Sequence, residues 1–297
     1  MNSIKTSFGR KIFLAVDIII VILLSVVCII PIVNLLATSL SSSQAILNNR
    51  VTLFPVDITL DAYDYVIHNA KFWRSVWVSV MRVGIGVPLN LLLTVLVAYP
   101  LSKTEKQFKA RKYYVAYMMV VMLFNGGLMP TYMIVVKTHL IDTIWSFILP
   151  GAVPIFNCIV LLNFFRGIPG ELEESAKLDG AGQWTILSRI YLPLSKPAIA
   201  TITLLSLIGH WNAYFDGLIY SNHTENYPLQ SYLQTLVVST TDLLQNGDID
   251  ALMKLSKISN TNMRAAQVFI SIIPLMLVYP FLQKYFTGGL VLGSVKG

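Results

Sequence analysis

Residues Arg166–Pro197 read RGIPGELEESAKLDGAGQWTILSRIYLPLSKP, a polar stretch set between two long apolar runs. Pro169 suits the start of a helix, where the first N–H groups have no intrahelical partner. Glu171, Glu173 and Glu174 fall in the first turns, where carboxylates favour the positive helix end. Glu173 and Lys177 make an i,i+4 pair in the better orientation. Asp179-Gly180 supplies a stop, since glycine takes the left-handed conformation that helix ends often need. A second helix is expected over Gln183–Tyr191, with Pro193 closing it. The stretch is too polar to span a bilayer and too well capped to be disordered. It reads as a helix–turn–helix lying on a membrane face. An amphipathic hairpin resting in headgroups, with no partner, fits the same residues.

The rest of the chain supplies the membrane. It has 297 residues, 55% hydrophobic and 12% charged, with a mean hydropathy of +0.65. A soluble domain is about 25% charged, so a water-soluble enzyme is excluded. Uncharged apolar windows of about 19 residues occur at Ile18–Leu40, Val83–Leu101 (starting as early as Ser75, with Arg82 near its outer end), Tyr113–Val136, Thr143–Phe165, Pro197–Phe215 and Ala265–Gln283. Six spans are therefore expected in an all-α protein. Pro31, Pro88, Pro130, Pro150, Pro154, Pro274 and Pro280 fall inside these windows. Neighbouring helices re-satisfy the freed carbonyls in such bundles, so kinks are expected rather than ends. Cys28 and Cys158 lie in apolar runs, and no disulfide framework is readable. The first apolar run is longer than a cleaved signal's core, and Thr38-Ser39-Leu40 is a poor cleavage signature.

Lys and Arg set the orientation. The N-terminal tail, Pro100–Lys112, Arg166–Lys196 and the C-terminal tail hold 14 of the 22 basic residues, against 7 in Ser41–Arg74, Lys137–Asp142 and Asp216–Arg264. The positive-inside rule puts both termini, and the 166–196 loop, in the cytoplasm. The net charge of +7 is thus explained by topology, not by nucleic acid. Lys103, Lys106, Lys109, Arg111 and Lys112 form the densest cluster, read as a topology signal with an anionic-lipid site as the alternative. The outer segments are rich in Asn, Asp, Ser and Thr and read as ordered, water-facing structure. The match of Asn222-His223-Thr224 to a glycosylation sequon carries no weight in a chain of this length.

Glu174-Ser175-Ala176, three residues, Gly180, nine residues, Ile190, one residue, then Leu192-Pro193 resembles the EAA motif of ABC importer permeases. Ser175 in place of the second alanine is the one departure, a small-for-small exchange. The resemblance implies the six-helix architecture of type I ABC importers, with this loop as the coupling helix that docks on an ATP-hydrolysing subunit. Carried over by position, Glu174 pairs with a basic group of the ATPase and Gly180 makes the tight turn. Leu192 and Pro193 fix the exit to the membrane, and Ser175, Ala176, Asp179 and Ile190 complete the motif. Asn163–Pro169, Phe124–Tyr132 and Gly209-His210-Trp211-Asn212 resemble carbohydrate importer permeases of the MalG type, in the LplC/YtcP-like branch. The tail Gly288–Gly297 is also similar to the MalG type, which implies that Gly289, Gly293 and Lys296 contact the ATPase. The resemblance covers roughly Phe72 to Gly297, with a fainter match in the first span.

It further implies a second permease subunit, two ATPase subunits, an extracellular substrate-binding protein, a carbohydrate substrate, and residence among lipids of a prokaryotic plasma membrane. By this reading residues 1–74 hold the tail, first span and first outer loop. Residues 75–286 are the permease core, and residues 287–297 are the cytoplasmic tail. The chain has no Gly-x4-Gly-Lys-Ser/Thr loop, and Gly84-Ile85-Gly86 runs into Val87-Pro88 within an apolar run. ATP and Mg are therefore expected on partner subunits. His68, His139, His210 and His223 make no metal-ligand spacing, and no catalytic residue is expected. His210, Trp211, Asn212 and Tyr214 end the fifth window. They are candidates for the substrate pathway, Trp211 and Tyr214 to stack on a sugar ring and Asn212 to bind hydroxyls. Asn125 and Asn163 are weaker candidates, since each also suits a helix–helix bridge. An aromatic belt at the outer interface is the alternative for Trp211 and Tyr214. Two further readings stand beside the main one: the same machinery for a non-sugar solute, and a stand-alone secondary transporter. Against the latter, only Arg82 is charged within a window and no repeat is evident.

Overall fold

The computed structural model describes residues 8–124, 126–236 and 260–293. Among them the regular elements are helical, with no strand beyond one isolated bridge between Ser41 and Ile58. In chain order the α-helices are α1 Phe8–Ser39, α2 Ser43–Leu47, α3 Asp61–His68, α4 Ala70–Ser102, α5 Arg111–Leu123 and α6 Leu128–Lys137. Two 3₁₀ turns, Ile144–Phe147 and Leu149–Gly151, lead into α7 Ile155–Arg166 and α8 Gly170–Leu178. Then come α9 Gln183–Ile186, a π-turn at Leu187–Tyr191, α10 Leu192–Leu194, α11 Lys196–Asn212, α12 Phe215–Tyr220 and α13 Asn260–Gly293.

Three of these contain stretches long and apolar enough to cross a membrane: Gly9–Ser39, Ala70–Ser102 and Thr261–Phe281. Over the three remaining windows the helices are bent pairs, each a broken span or a re-entrant turn by its geometry. The window at 113–136 divides into α5 and α6. The window at 143–165 bends by 48° between Gly151 and Ile155. Pro150 lies in the second 3₁₀ turn and Pro154 caps α7 in an extended conformation, so the two prolines give a break rather than the expected kink. α11 is short, and the helical run before it meets it at 81°. Pro31, Pro88, Pro100, Pro274 and Pro280 stay inside continuous helices.

The chain divides into two compact units, Met1–Ala70 with Leu236–Ile272, and Lys71–Thr235 with Ile273–Gly297. In the first, α1 exposes Ile18–Leu24 and most of its other large apolar side chains, as expected of a helix whose solvent is hydrocarbon. At its end, the buried Ser41 hydroxyl donates to Ala37 O (2.6 Å) and accepts from Val56 N (3.0 Å), folding the outer loop back. In the second unit, Ala98, Tyr99 and Leu101 of α4, Leu161, Leu162 and Phe165 of α7, Ile186 and Leu187, Tyr191, and Ala198 and Ile202 of α11 form one buried cluster. This cluster carries loop 166–197.

Candidate functional site

Loop 166–197 folds as a closed helix pair. Gly180 has φ +79°; its N–H donates to Lys177 O (3.0 Å), and Ala181 N–H donates to Ala176 O (2.9 Å). This is the Schellman arrangement, which satisfies the last carbonyls of α8 and needs a residue in the left-handed region. Pro169 is the N-cap, so α8 begins one residue later than the proline. The second helix does not stop at Pro193: the helical run continues to Leu194 and Ser195 ends it. The π-turn comes immediately before Leu192-Pro193, whose proline nitrogen cannot enter an i→i−4 ladder.

The motif residues divide by face. Glu174, Ser175, Asp179, Gly180 and Pro193 are exposed, whereas Ala176, Ile190 and Leu192 lean on the buried cluster. Glu173, one step along the helix from Glu174, points the other way and is 5% exposed. Its carboxylate accepts from Lys103 Nζ (2.8 Å), Lys177 Nζ (2.7 Å) and the Tyr191 hydroxyl (2.7 Å). The expected Glu173–Lys177 pair is present; Tyr191 lies 18 residues on, and Lys103, read from the sequence as one of the basic cluster, is instead buried against Glu173 from 70 residues away. Burial alone would raise the Glu173 pKa, but the bonds from Lys103, Lys177 and Tyr191 override it and hold it at about 2. Burial pulls Lys103 below the usual lysine range.

A pH dependence follows from Glu173. Its ionised form favours the folded state at neutral pH, and that contribution fades as pH falls from 4.5 to about 2. The thermal midpoint of the wild type is expected to exceed that of Glu173→Gln at pH 7, with the gap closing across that window. A gap that is constant from pH 7 to pH 2 would contradict the ionised assignment.

A second polar cluster lies within the apolar part of the same unit. Arg82 of α4, 3% exposed, uses all five guanidinium hydrogens. Nε donates to His210 Nδ1 (3.4 Å). Nη1 donates to Asp216 Oδ1 (3.1 Å) and Ala213 O (3.4 Å). Nη2 donates to Asp216 Oδ2 and Phe147 O (3.3 Å). Asn90 gives both amide hydrogens to Gly151 O (3.0 Å) and Ala152 O (2.8 Å), and its oxygen meets His210 Nε2 at 2.7 Å. His210 is therefore the neutral tautomer protonated on Nε2. Asn90 thus satisfies Gly151 O and Ala152 O at the break before α7, and Arg82 satisfies Phe147 O and Ala213 O, as buried carbonyls without helical partners require. Gly86 lets the His210 ring lie against α4, since a Cβ there would stand 2.7 Å from Nε2.

These groups line a cavity of about 390 Å³ together with Asn157, Ser206 and Tyr220. Of the expected pathway residues that are described, His210 lines it; Trp211 is buried, Asn212, Tyr214 and Asn163 are exposed, and none of these four lines it. Asn125 lies outside the described residues. Gly289 and Gly293 fall within α13, which continues the last helix through most of the expected tail, and Lys296 lies outside the described residues. Sequence reasoning missed Asn90 and Asp216; the available signal was a lone Arg82 in one window and a lone Asp216 at the end of another, since charges in a bilayer pair.

Residues 65–291 match the family described as binding-protein-dependent transport system inner membrane component. Protein LplC of Bacillus subtilis (strain 168) is 39% identical over 271 residues, covering 91% of this chain and 90% of LplC. The polygalacturonan/rhamnogalacturonan transport system permease protein YtcP of the same organism is 36% identical over 276 residues, covering 93% of this chain and 95% of YtcP. A chain from the crystal structure of a bacterial ABC transporter involved in the import of the acidic polysaccharide alginate matches with a TM-score of 0.83 and 34% identity, over 96% of this chain and 100% of that one.

Proposed function

Because the chain belongs to the family of binding-protein-dependent transport system inner membrane components, we infer that it is the permease subunit of an ABC importer for carbohydrate. It is a multi-pass membrane protein. We read the three continuous spans and three broken ones as six crossings, with both termini in the cytoplasm of a prokaryote and residues 75–286 as the core. A second permease forms the other half of the pathway, an external binding protein delivers the cargo, and two ATPase subunits bind ATP and Mg. The chain itself catalyses nothing. The printed functions of YtcP and of the alginate importer support a saccharide chain as cargo.

The observation that carries the coupling role is the closed pair α8–α9, which holds Glu174 exposed on a loop seated on the ends of α4, α7 and α11. ATP and the docked binding protein favour one state of the permease pair, and hydrolysis restores the other. A ligand moves such an equilibrium only through its different affinity for the two states. A swing from 1:99 to 99:1 takes about 5.5 kcal/mol, which the helix pair has to transmit.

In proteoliposomes carrying both permeases and the ATPase, labelled oligosaccharide uptake is expected only with the loaded binding protein outside and ATP inside. Uptake driven by an ion gradient without ATP would overturn this reading in favour of secondary transport.

A further inference from the structure

We propose that Glu173 is a positioning residue for transport: it fastens the coupling helix α8 to the inner end of α4, so that movement received at the exposed Glu174 face reaches that span without slip. The proposal rests on the coupling role above and adds the attachment through which the push is delivered.

The attachment is visible in the packing. Lys103 follows directly on α4 and is 8% exposed. Its ammonium lies 4.0 Å from the centre of the Tyr99 ring and 4.1 Å from that of Tyr191. The same nitrogen donates to Glu173 at 2.8 Å. Gln107, also beyond the end of α4, adds a longer bond to Glu173 at 3.4 Å. Tyr99 in turn donates to the Gln183 side chain at 2.7 Å, which ties α4 to α9 as well. The Tyr99, Phe165 and Tyr191 rings meet edge to face, with centroids 5.1 to 6.3 Å apart.

One carboxylate therefore collects bonds from the end of α4, from α8 itself and from the π-turn. Apolar side chains of the same volume would hold these elements together about as strongly, because burying an ion pair costs desolvation. What the charge adds is a single register. Lys103 sits in the corner formed by two perpendicular aromatic rings, where its charge is favoured, and only one placement of α8 brings Glu173 to it. A slipped α8 would carry Lys177 along with Glu173 but leave Lys103 buried without its counter-charge. Glu173 and Glu174 thus divide the work between two faces of one helix.

The test uses the complete importer in proteoliposomes and reads sugar moved per ATP hydrolysed, a ratio that a loss of stability alone does not change. Glu173→Gln, Lys103→Met and Lys103→Arg are compared with Glu174→Lys. In assembled complexes the ratio is expected to fall between about twofold and about thirtyfold for Glu173→Gln and Lys103→Met, the range seen for residues that carry coupling. Lys103→Arg, which keeps the charge and stacks on aromatic rings, is expected to recover most of it. If Glu173→Gln fails to assemble, Tyr191→Phe, which removes one bond to Glu173, gives the same reading and a smaller fall. A normal ratio in Glu173→Gln and Lys103→Met beside a reduced one in Glu174→Lys overturns the positioning role alone. A normal ratio in all three overturns the coupling role with it.

Discussion

Arg82→Met is expected to lower the thermal midpoint of the purified protein by about 6–12 °C. The substitution leaves Asp216, whose side chain is 23% exposed, without its counter-charge in an apolar setting. It also strips the donors from Phe147 O and Ala213 O. Breaking a buried pair by removing one partner costs about 3–5 kcal/mol, and the partial exposure of Asp216 argues for the lower end. At about 2–4 °C per kcal/mol for a unit of the size of the second one, about 3 kcal/mol gives the stated shift. Arg82→Met combined with Asp216→Asn is expected to recover the charge part but not the carbonyl part, and so to lie between the single variant and the wild type. Arg82→Lys keeps the charge with three donors instead of five and is also expected to be intermediate. A midpoint for Arg82→Met equal to that of the wild type, or a double variant no better than the single one, would refute this account of the cluster.

Gly180→Val is expected to abolish uptake, by tenfold or more, while the protein still inserts and assembles. Nothing lies within 4 Å of a Cβ built at Gly180, so crowding plays no part and the whole effect comes from the backbone. With φ at +79°, an L-residue there costs roughly 1–2 kcal/mol, and a β-branched one is a genuine outlier. The turn is expected to relax by changing the angle between α8 and α9, which moves the face that carries Glu174. Gly180→Asn is the control, since asparagine tolerates the left-handed region at helix ends; it is expected to retain most uptake. Glu174→Lys reverses the charge on the exposed face and is expected to fail like Gly180→Val, by uncoupling ATP hydrolysis from uptake in assembled complexes rather than by moving the turn. Wild-type uptake by both Gly180→Val and Glu174→Lys would remove the coupling role from this loop.

What the sequence discloses here follows the range of each physical signal. Hydropathy averaged over about 19 residues marked three windows that long helices fill and three that bent helix pairs fill among the described residues, yet it cannot see a break inside one, so Pro150 and Pro154 read as kinks where the helix is interrupted and turns by 48°. Local spacing found Glu173–Lys177, four residues apart. It had no access to Lys103, 70 residues from Glu173, or to Asp216, 134 residues from Arg82. Those pairings exist only once α4, α8 and α12 have packed. The loop motif was legible because its chemistry is local: a proline at the start of α8, an i,i+4 pair and a glycine stop; the exit was not, since the helical run continues past Pro193. The pathway residues were less legible, because a run such as His210–Tyr214 does not say which of its members faces inward; here His210 and Trp211 do, and Tyr214 does not.

The imidazole lying over Gly86 has an evolutionary corollary. Position 86 has no room to grow while position 210 keeps its ring, and position 210 cannot shrink without abandoning the amide of Asn90 and the guanidinium of Arg82. The four sites form a combination that drifts as a set or not at all, so a lineage that loses one should show exchanges at the other three.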